Sequence, residues 1–553
     1  VSELTRGIVL LGLLGLVSCG DPGLRDRSLM SLDETHGNRL TALRHRKKHA
    51  GQTSVIGLAT DPLAQYYPDN AALVVRFNDP GTLAREVAPQ LRDLQRVLPR
   101  LKLPSGNPTD MIRRVAGLPP VVRIDPVRPF AFVRIGKGWA TIIPTRNRDK
   151  DSVRIKQLDA VYCVAGDPEV VAAYRPGFRK GFYLPGDVSL IAQRNALENL
   201  GSGLSELAAP LGLDLTLLDR WMPPVPGDVE RVDIGARLRQ GGLRIDIRAA
   251  PHPKSQTALF LERLKPSTSA AARWLPSQGT VYVELLCPPA DWDRFLLVFL
   301  RDLLPPLVGE RAQLHFSLGR LLGALGRDAS ALLTLDEKGK GTLLLVANLD
   351  DPETTRSFFG SYDFTHLLET IAGPGGKLEW SAESFKRSGV RVGAIRGRLS
   401  RDRLLEWRRT GTVLYATLGT MLRGPAACYV AVVEDKLCIV AGHGARYEME
   451  RAIDHLQKGA PVDNDHNLEV VSLFPQRIAA VSVDLAALFD GTREAAAYWH
   501  PQGRNLRDLS LRWRLPASVA VTTEGGALRA AIRIRPTMLA EAAATIEARL
   551  ARK

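Results

Sequence analysis

Two groups of residues in this sequence have the types and spacing for chemistry. The first is Asp463-Asn464-Asp465-His466-Asn467-Leu468-Glu469, where alternating Asp463, Asp465 and Asn467 with Glu469 offer the oxygen donors that Ca²⁺ takes. Leu468 stands where an EF-hand loop needs its turn glycine, so the stretch reads as a polar loop after a helix ending near Lys458, and no metal site is assigned. The second is a set of five arginines. Arg512 and Arg514 alternate along a strand Leu509 to Leu515, and Arg529, Arg533 and Arg535 share one face of a neighbouring strand. A guanidinium binds phosphate or carboxylate through two parallel hydrogen bonds, which makes these five a candidate anion-binding face. The plainer reading is a solvated sheet face whose arginines meet acids elsewhere in the fold. Catalytic signatures are missing: there is no HExxH, CxxC or GxSxG. Gly373-Pro374-Gly375-Gly376-Lys377 lacks the first glycine of a phosphate-binding loop, and Leu378 replaces its Ser or Thr. His45 and His49 enclose Arg46-Lys47-Lys48 with no carboxylate nearby, a poor setting for a cation. No cofactor is expected.

Cysteine chemistry gives the strongest signal. An apolar run from Ile8 to Val17 follows Arg6 and leads into Leu16-Val17-Ser18-Cys19. This resembles the signal peptide of bacterial lipoproteins. The resemblance implies that residues 1–18 are removed, that the Cys19 sulfur carries a diacylglyceryl group, and that Gly20 in place of Asp favours the outer over the inner membrane. A transmembrane anchor fits less well, because ten apolar residues span only ~15 Å of a ~30 Å hydrocarbon core. Cys163, Cys287, Cys428 and Cys438 remain for a compartment where disulfides form. If 428–433 and 436–442 make a hairpin turning at Glu434-Asp435, Cys428 faces Ala441 and Val430 faces Ile439. Cys438 then lies on the opposite sheet face, and buried thiols are the expectation.

The 553 residues carry a net charge of +15. A basic surface attracts phosphate, yet export argues against nucleic acid. Partners in the envelope would be the membrane itself, through the lipid, and anionic lipid headgroups or wall polymers. A merely solubilising charge is the plainer alternative.

The elements that must position these groups recur. Residues 19–66 read as a flexible basic tether, with an end-to-end distance of roughly 35 to 40 Å. Strands led by proline open at Pro68, Pro185, Pro276 and Pro475, and hairpins that feed helices recur at 130–144, 241–251, 341–349, 436–442 and 525–536. Leu509 to Leu515 and Val232 to Ile247 alternate apolar and polar, the pattern of sheets with one wet face. The expected fold class is α+β, with tandem repeated units of antiparallel sheet and helices packed on one face. The units are placed at 67–183, 184–275, 276–472 and 473–553. The helix Asp291 to Leu304 is apolar on most sides, suiting a core helix or the wall of a lipid pocket.

The stretches PDNAALVVRFND (68–79), PQRIAAVSVDLAALF (475–489) and YVAVVEDKLCIVAGHGARYEMERAIDHLQKG (429–459) resemble a family of large exported bacterial proteins of unknown function. That resemblance implies no activity and no site residue. The expected role is therefore a non-enzymatic, membrane-anchored binding or scaffolding protein. Its rivals are a carrier of lipid or another apolar ligand between units, and an enzyme whose site is assembled from distant residues.

Overall fold

The computed structural model describes residues 59–78, 127–145, 154–177, 182–197, 200–208, 228–239, 242–286, 319–336, 340–402, 428–458, 465–491 and 514–535, with a few positions outside these stretches. Contacts group the chain into two compact units: 1–263 with 523–544, and 264–522 with 545–553. No helix among the described residues is long and apolar enough to cross a membrane.

In the first unit the chain forms β1 (Ala59–Thr60), β2 (Ala71–Phe77), β3 (Phe130–Ile135), β4 (Gly138–Pro144), β5 (Ile155–Gln157) and β6 (Tyr162–Gly166). There follow α1 (Pro168–Ala173), β7 (Phe182–Tyr183), β8 (Val188–Gln193), α2 (Arg194–Leu197), α3 (Leu200–Ala208), β9 (Val229–Arg239), β10 (Gly242–Pro251) and α4 (Gln256–Arg263). The second unit holds β11 (Val281–Leu285), β12 (Leu325–Leu335), β13 (Gly341–Leu349), α5 (Pro352–Phe358), α6 (Tyr362–Ala372), β14 (Lys377–Arg387) and β15 (Val390–Arg398). It continues with β16 (Cys428–Val433), β17 (Lys436–Gly442), α7 (Ala445–Lys458), α8 (Asp465–Val471), β18 (Ala479–Asp484) and β19 (Pro516–Glu524). The last strand, β20 (Ala527–Ile534), belongs to the first unit.

Every registered strand pair is antiparallel. The first unit's sheet runs β5-β6-β4-β3-β2-β8-β9-β10-β20, with β1 and β7 as a separate pair. The second runs β19-β18-β11-β12-β13-β17-β16-β15-β14. The fold is thus α+β, dominated by antiparallel sheet.

The local chemistry of these elements is readable. All four proline-led openings become strands: β2, β8, β11 and β18. Two-residue turns close β3–β4, β14–β15 and β16–β17, and Ser388 (φ +50°) with Gly389 (φ +81°) supplies the left-handed pair that matches strand twist in the second of these. The side chain of Ser361 accepts from the Phe364 N–H (3.3 Å) to cap α6, and Gly373 (φ +72°) ends it. Asp351 caps α5 through the Thr354 N–H at 3.0 Å, with Pro352 at the first helical position.

Directly paired residues share a sheet face, so the two faces of the second unit can be read across the strands. One row is Ser518, Ser482, Tyr282, Leu332, Leu344, and the next is Ala520, Ala480, Glu284, Ser330, Val346, Cys438. On the opposite face run Val519, Val481, Val283, Ala331, Leu345, Ile439 and Val430. Serines, Glu284 and Tyr282 are buried, whereas Val283 and Val481 are 41% and 38% exposed. The polar row is thus the covered one.

Helices lie on both faces, not on one. Phe358, Phe359, Phe364, Leu367 and Leu368 of the α5–α6 region pack on Ala347, Val430 and Leu437 of the valine face. Helix α7 lies over Leu344, on the polar face. In the first unit, Val171 of α1 with Leu63 and Tyr66 covers Val74, Ile191, Val133, Ala140 and Val164.

Cys428 pairs with Ala441, and Cys438 with Ala431, so the two thiols point to opposite faces. Cys163, Cys428 and Cys438 form no disulfide among the described residues, and Cys287 lies outside them. Burial pushes both the Cys428 and Cys438 thiols up to about 12. At mildly alkaline pH almost none of either is thiolate, so both should resist alkylation until the protein is unfolded. A 428–438 disulfide in the oxidised native protein, found by peptide mass spectrometry, would contradict this register.

Candidate ligand cleft and buried polar networks

Helix α7 buries Ala445, Met449, Ala452, Ile453 and Leu456, one apolar stripe at helical spacing. Its exposed side carries ion pairs Arg446–Glu450 (3.1 Å) and Arg451–Glu448 (3.2 Å). Facing α7 is the 3₁₀ turn Ala271–Trp274, and Leu275, Pro276 and Ser277 lead on towards β11. Between them lies a cleft of about 420 Å³, with Leu344 among its walls. That volume falls in the range of small-ligand pockets.

The Trp274 ring meets the His455 imidazole edge-on, centroids 5.6 Å apart, and the Lys436 ammonium sits 5.7 Å from the indole centroid. Nε2 of His455 is buried and has no hydrogen-bond partner. Asp454 accepts from the Arg387 guanidinium, with Nε at 2.9 Å. That hydrogen bond holds the Asp454 carboxyl below the usual carboxylate range. Both carboxylates of the cleft, Glu448 and Asp454, are therefore occupied by arginines. The cleft presents the Trp274 ring as an aromatic wall, with Lys458 at its rim.

A second cluster lies inside the polar face. Arg477, 1% exposed, holds Glu284 with both nitrogens (Nη2 to Oε2 2.8 Å), donates to Asn467 Oδ1 (2.8 Å), and reaches the carbonyls of Pro475 (3.2 Å) and Phe474 (3.4 Å). Tyr282 donates to the same carboxylate, and burial raises its hydroxyl far above the ordinary value, with Glu284 adding to the rise. Beside it, His466 Nε2 lies 2.8 Å from the Gly279 carbonyl, so Nε2 carries the proton. His466 Nδ1 then accepts from Ser482 Oγ at 2.9 Å, and Ser482 meets Ser518 at 3.0 Å. A Ser–His pair invites a nucleophilic reading. Here both side chains are buried in the sheet interior, which makes the chain of hydroxyls a structural bridge between α8, β18 and β19.

The residues singled out from the sequence are dispersed. The Ca²⁺ candidate corrects to a helix: 465–471 is α8, His466 turns inward and Asn467 serves Arg477, while Asp463 lies outside the described residues. Cys19, Arg512, the tether cations and the helix expected at 291–304 also lie outside them. Arg514 precedes β19 rather than lying on a strand, and pairs with Asp484 at 3.1 Å. Arg529 is 1% exposed and bonded to Glu524 at 2.5 Å, so it does not present its guanidinium to solvent. Arg533 and Arg535 are exposed, and Arg535 contacts the Met538 sulfur at 3.7 Å.

The strand paired with β20 in the first unit is β10, which sets Arg248 opposite Arg529 and Arg244 opposite Arg533. Carboxylates interleave: Asp233 takes Arg231 (2.6 Å) and Arg248 (3.4 Å), and Asp246 takes Arg244 (2.9 Å). Burial raises the Asp233 carboxyl while the two arginines pull it down. Alternating Asp233 and Asp246 in their strands was the signal for these partners. Trp274 and His455 lie 181 positions apart, and no spacing announces them.

Breaking one side of the Arg477–Glu284 pair strands a buried charge. Arg477→Ala should cost about 3 to 5 kcal/mol in the urea transition of the second unit. The apolar double substitution Arg477→Met with Glu284→Leu should cost far less, and equal losses from the two would contradict the account.

No family model matches the chain, and no curated protein matches it. Among solved structures it is similar to two crystal forms of TP0453, form I (TM-score 0.21) and form III (TM-score 0.22). Each is 10% identical and covered over 99% of its own length by 51% and 50% of this chain. TM-scores of that size do not amount to a shared fold.

Proposed function

We propose that this chain is an exported, lipid-anchored binding protein of the bacterial cell envelope, non-enzymatic and facing the periplasm, with the outer membrane as its seat. The observation that carries the reading is Leu16-Val17-Ser18-Cys19 behind a ten-residue apolar run. Cys19 is the lipidated residue, and two or three acyl chains hold where one binds only marginally. The body supports the binding half of the reading through the cleft beside Trp274.

Its tandem character is a duplication. The order β6-β4-β3-β2-β8-β9 of the first unit is repeated as β17-β13-β12-β11-β18-β19 in the second, with a helix after β6 and after β17. The extra hairpin β14–β15 with α5 and α6 is an insertion into the second copy. Anionic lipid headgroups or wall polymers are the partners that a charge of +15 favours in this compartment.

A second reading, a carrier of apolar ligands, is favoured by the neighbouring exposed Val283 and Val481 on the valine face of the second unit.

Two measurements separate these readings. Cys19→Ala should move the protein from the membrane to the soluble fraction, and a variant that stays membrane-bound overturns the anchor. Native mass spectrometry of protein lacking residues 1–19 should show an unliganded mass. Co-purified lipid at a fixed stoichiometry would replace the binding reading with the carrier.

A further inference from the structure

The strand pair β10–β20 carries an inference that rests on the duplication proposed above and not on the lipid anchor. β10 follows β9 after two residues, and β20 follows β19 after two. Leu243-Arg244 and Ile247-Arg248 recur as Leu528-Arg529 and Ile532-Arg533, each 285 positions further on. β10 and β20 are therefore the same strand of the two copies, and both lie in the first unit.

Equivalent strands that pair antiparallel make an isologous contact, in which residue i meets j and j meets i. The register of this pair has that form. Asp246 stands opposite Ala531, its own counterpart, so a local two-fold axis passes between them. On one side of the axis Arg244 faces Arg533, and on the other Arg248 faces Arg529. Ile245 faces Ile532, and Ile247 faces Ala530.

The sequence of β10 has the matching symmetry. Leu243-Arg244-Ile245-Asp246-Ile247-Arg248-Ala249 reads nearly the same in both directions about Asp246. Antiparallel pairing sets positions on the two sides of the centre opposite one another, so such a strand meets residues of its own kind in a second copy of itself. Arginine then faces arginine, an arrangement that by itself repels. Each copy brings the carboxylates that offset it. Asp246, 1% exposed, holds Arg244 at 2.9 Å, and the buried Asp233 of β9, which also takes Arg231, holds Arg248 at 3.4 Å.

We infer that the edge of β10 is a self-recognising docking edge whose partner is a second copy of the same strand, and that this chain carries its partner within itself as β20. Seven residue pairs fill the edge. An uncovered strand of that length is a template for another chain, and β20 closes it. Deprived of β20, the chain completes the edge with β10 of a second molecule about the same axis.

Light scattering of the full chain in detergent, read for protein mass, tests this on two variants. Neighbouring residues of a strand point their N–H groups to opposite sides, so Ala530→Pro with Ala531→Pro removes a donor facing β10 and takes β20 off it. The protein mass should double, with amide exchange of β10 still slow. A single-chain mass with fast exchange in β10 overturns the docking edge. The second variant keeps β20 in place: Ala530→Ile, Ala531→Asp and Ile534→Ala write the residues of β10 onto it, the other four of the seven paired positions being identical already. The new carboxylate stands two residues after Arg529, as Asp246 does after Arg244, and Ile245 opposite Ile532 shows that an isoleucine pair fits. This chain should remain single, with β10 as slow to exchange as in the parent. Loss of that protection overturns the equivalence of the two strands and the duplication with it. Protection kept here beside a single-chain proline variant overturns the docking edge alone. Membrane attachment through Cys19 is read by fractionation and is independent of these outcomes.

Discussion

Arg477 and Glu284 are the pair on which the second unit depends. A guanidinium and a carboxylate inside a sheet's covered face each carry a desolvation penalty of several kcal/mol, recovered only when every donor and acceptor is used. Arg477 meets that demand by drawing in β11 through Glu284, α8 through Asn467, and the approach to β18 through the carbonyls of Phe474 and Pro475. The constraint orders its surroundings. Tyr282, His466, Ser482 and Ser518 line up along the same face, and Ser269 with the backbone of Ala270 and Ala271 satisfies Asp328. That last set fixes the 3₁₀ turn carrying Trp274, so the wall of the cleft is set by the same polar interior.

The first unit solves a similar problem with its own residues. Arg76 and Asp61 form a buried pair, with the Arg76 guanidinium 4.1 Å from the Tyr183 ring centroid and Asp61 accepting from the Leu63 N–H at 2.8 Å. On β9 and β10, carboxylates alternate with arginines so that like charges opposite one another across β10 and β20 do not stand alone. A sequence count of basic residues therefore overstates the positive surface of these strands. Their arginines are structural cations first.

Local pattern was legible in the sequence to within a few residues. The hairpins at 130–144, 428–442 and 229–251, the four proline-led strands and the start of α7 all follow from turn residues and period-two alternation, which act over a few positions. The opposite faces of Cys428 and Cys438 followed from the same rule. Two things were not legible. Which strands join across the chain is set by tertiary pairing, and β11 pairs with β18 nearly 200 positions away. Asp465 to Glu469, with the composition of a polar loop, lies in α8, where His466 and Asn467 are held by buried partners, a tertiary demand that overrides local composition.

The central claim is that the buried Arg477–Glu284 pair organises the polar interior of the second unit. Hydrogen exchange of the full chain beside its Arg477→Ala variant addresses it most directly. The account predicts that β11, α8 and β18 are strongly protected in the native protein and lose protection together in the variant, while the β14–β15 hairpin keeps its own. Unchanged protection of β11 and β18 in the variant would contradict it.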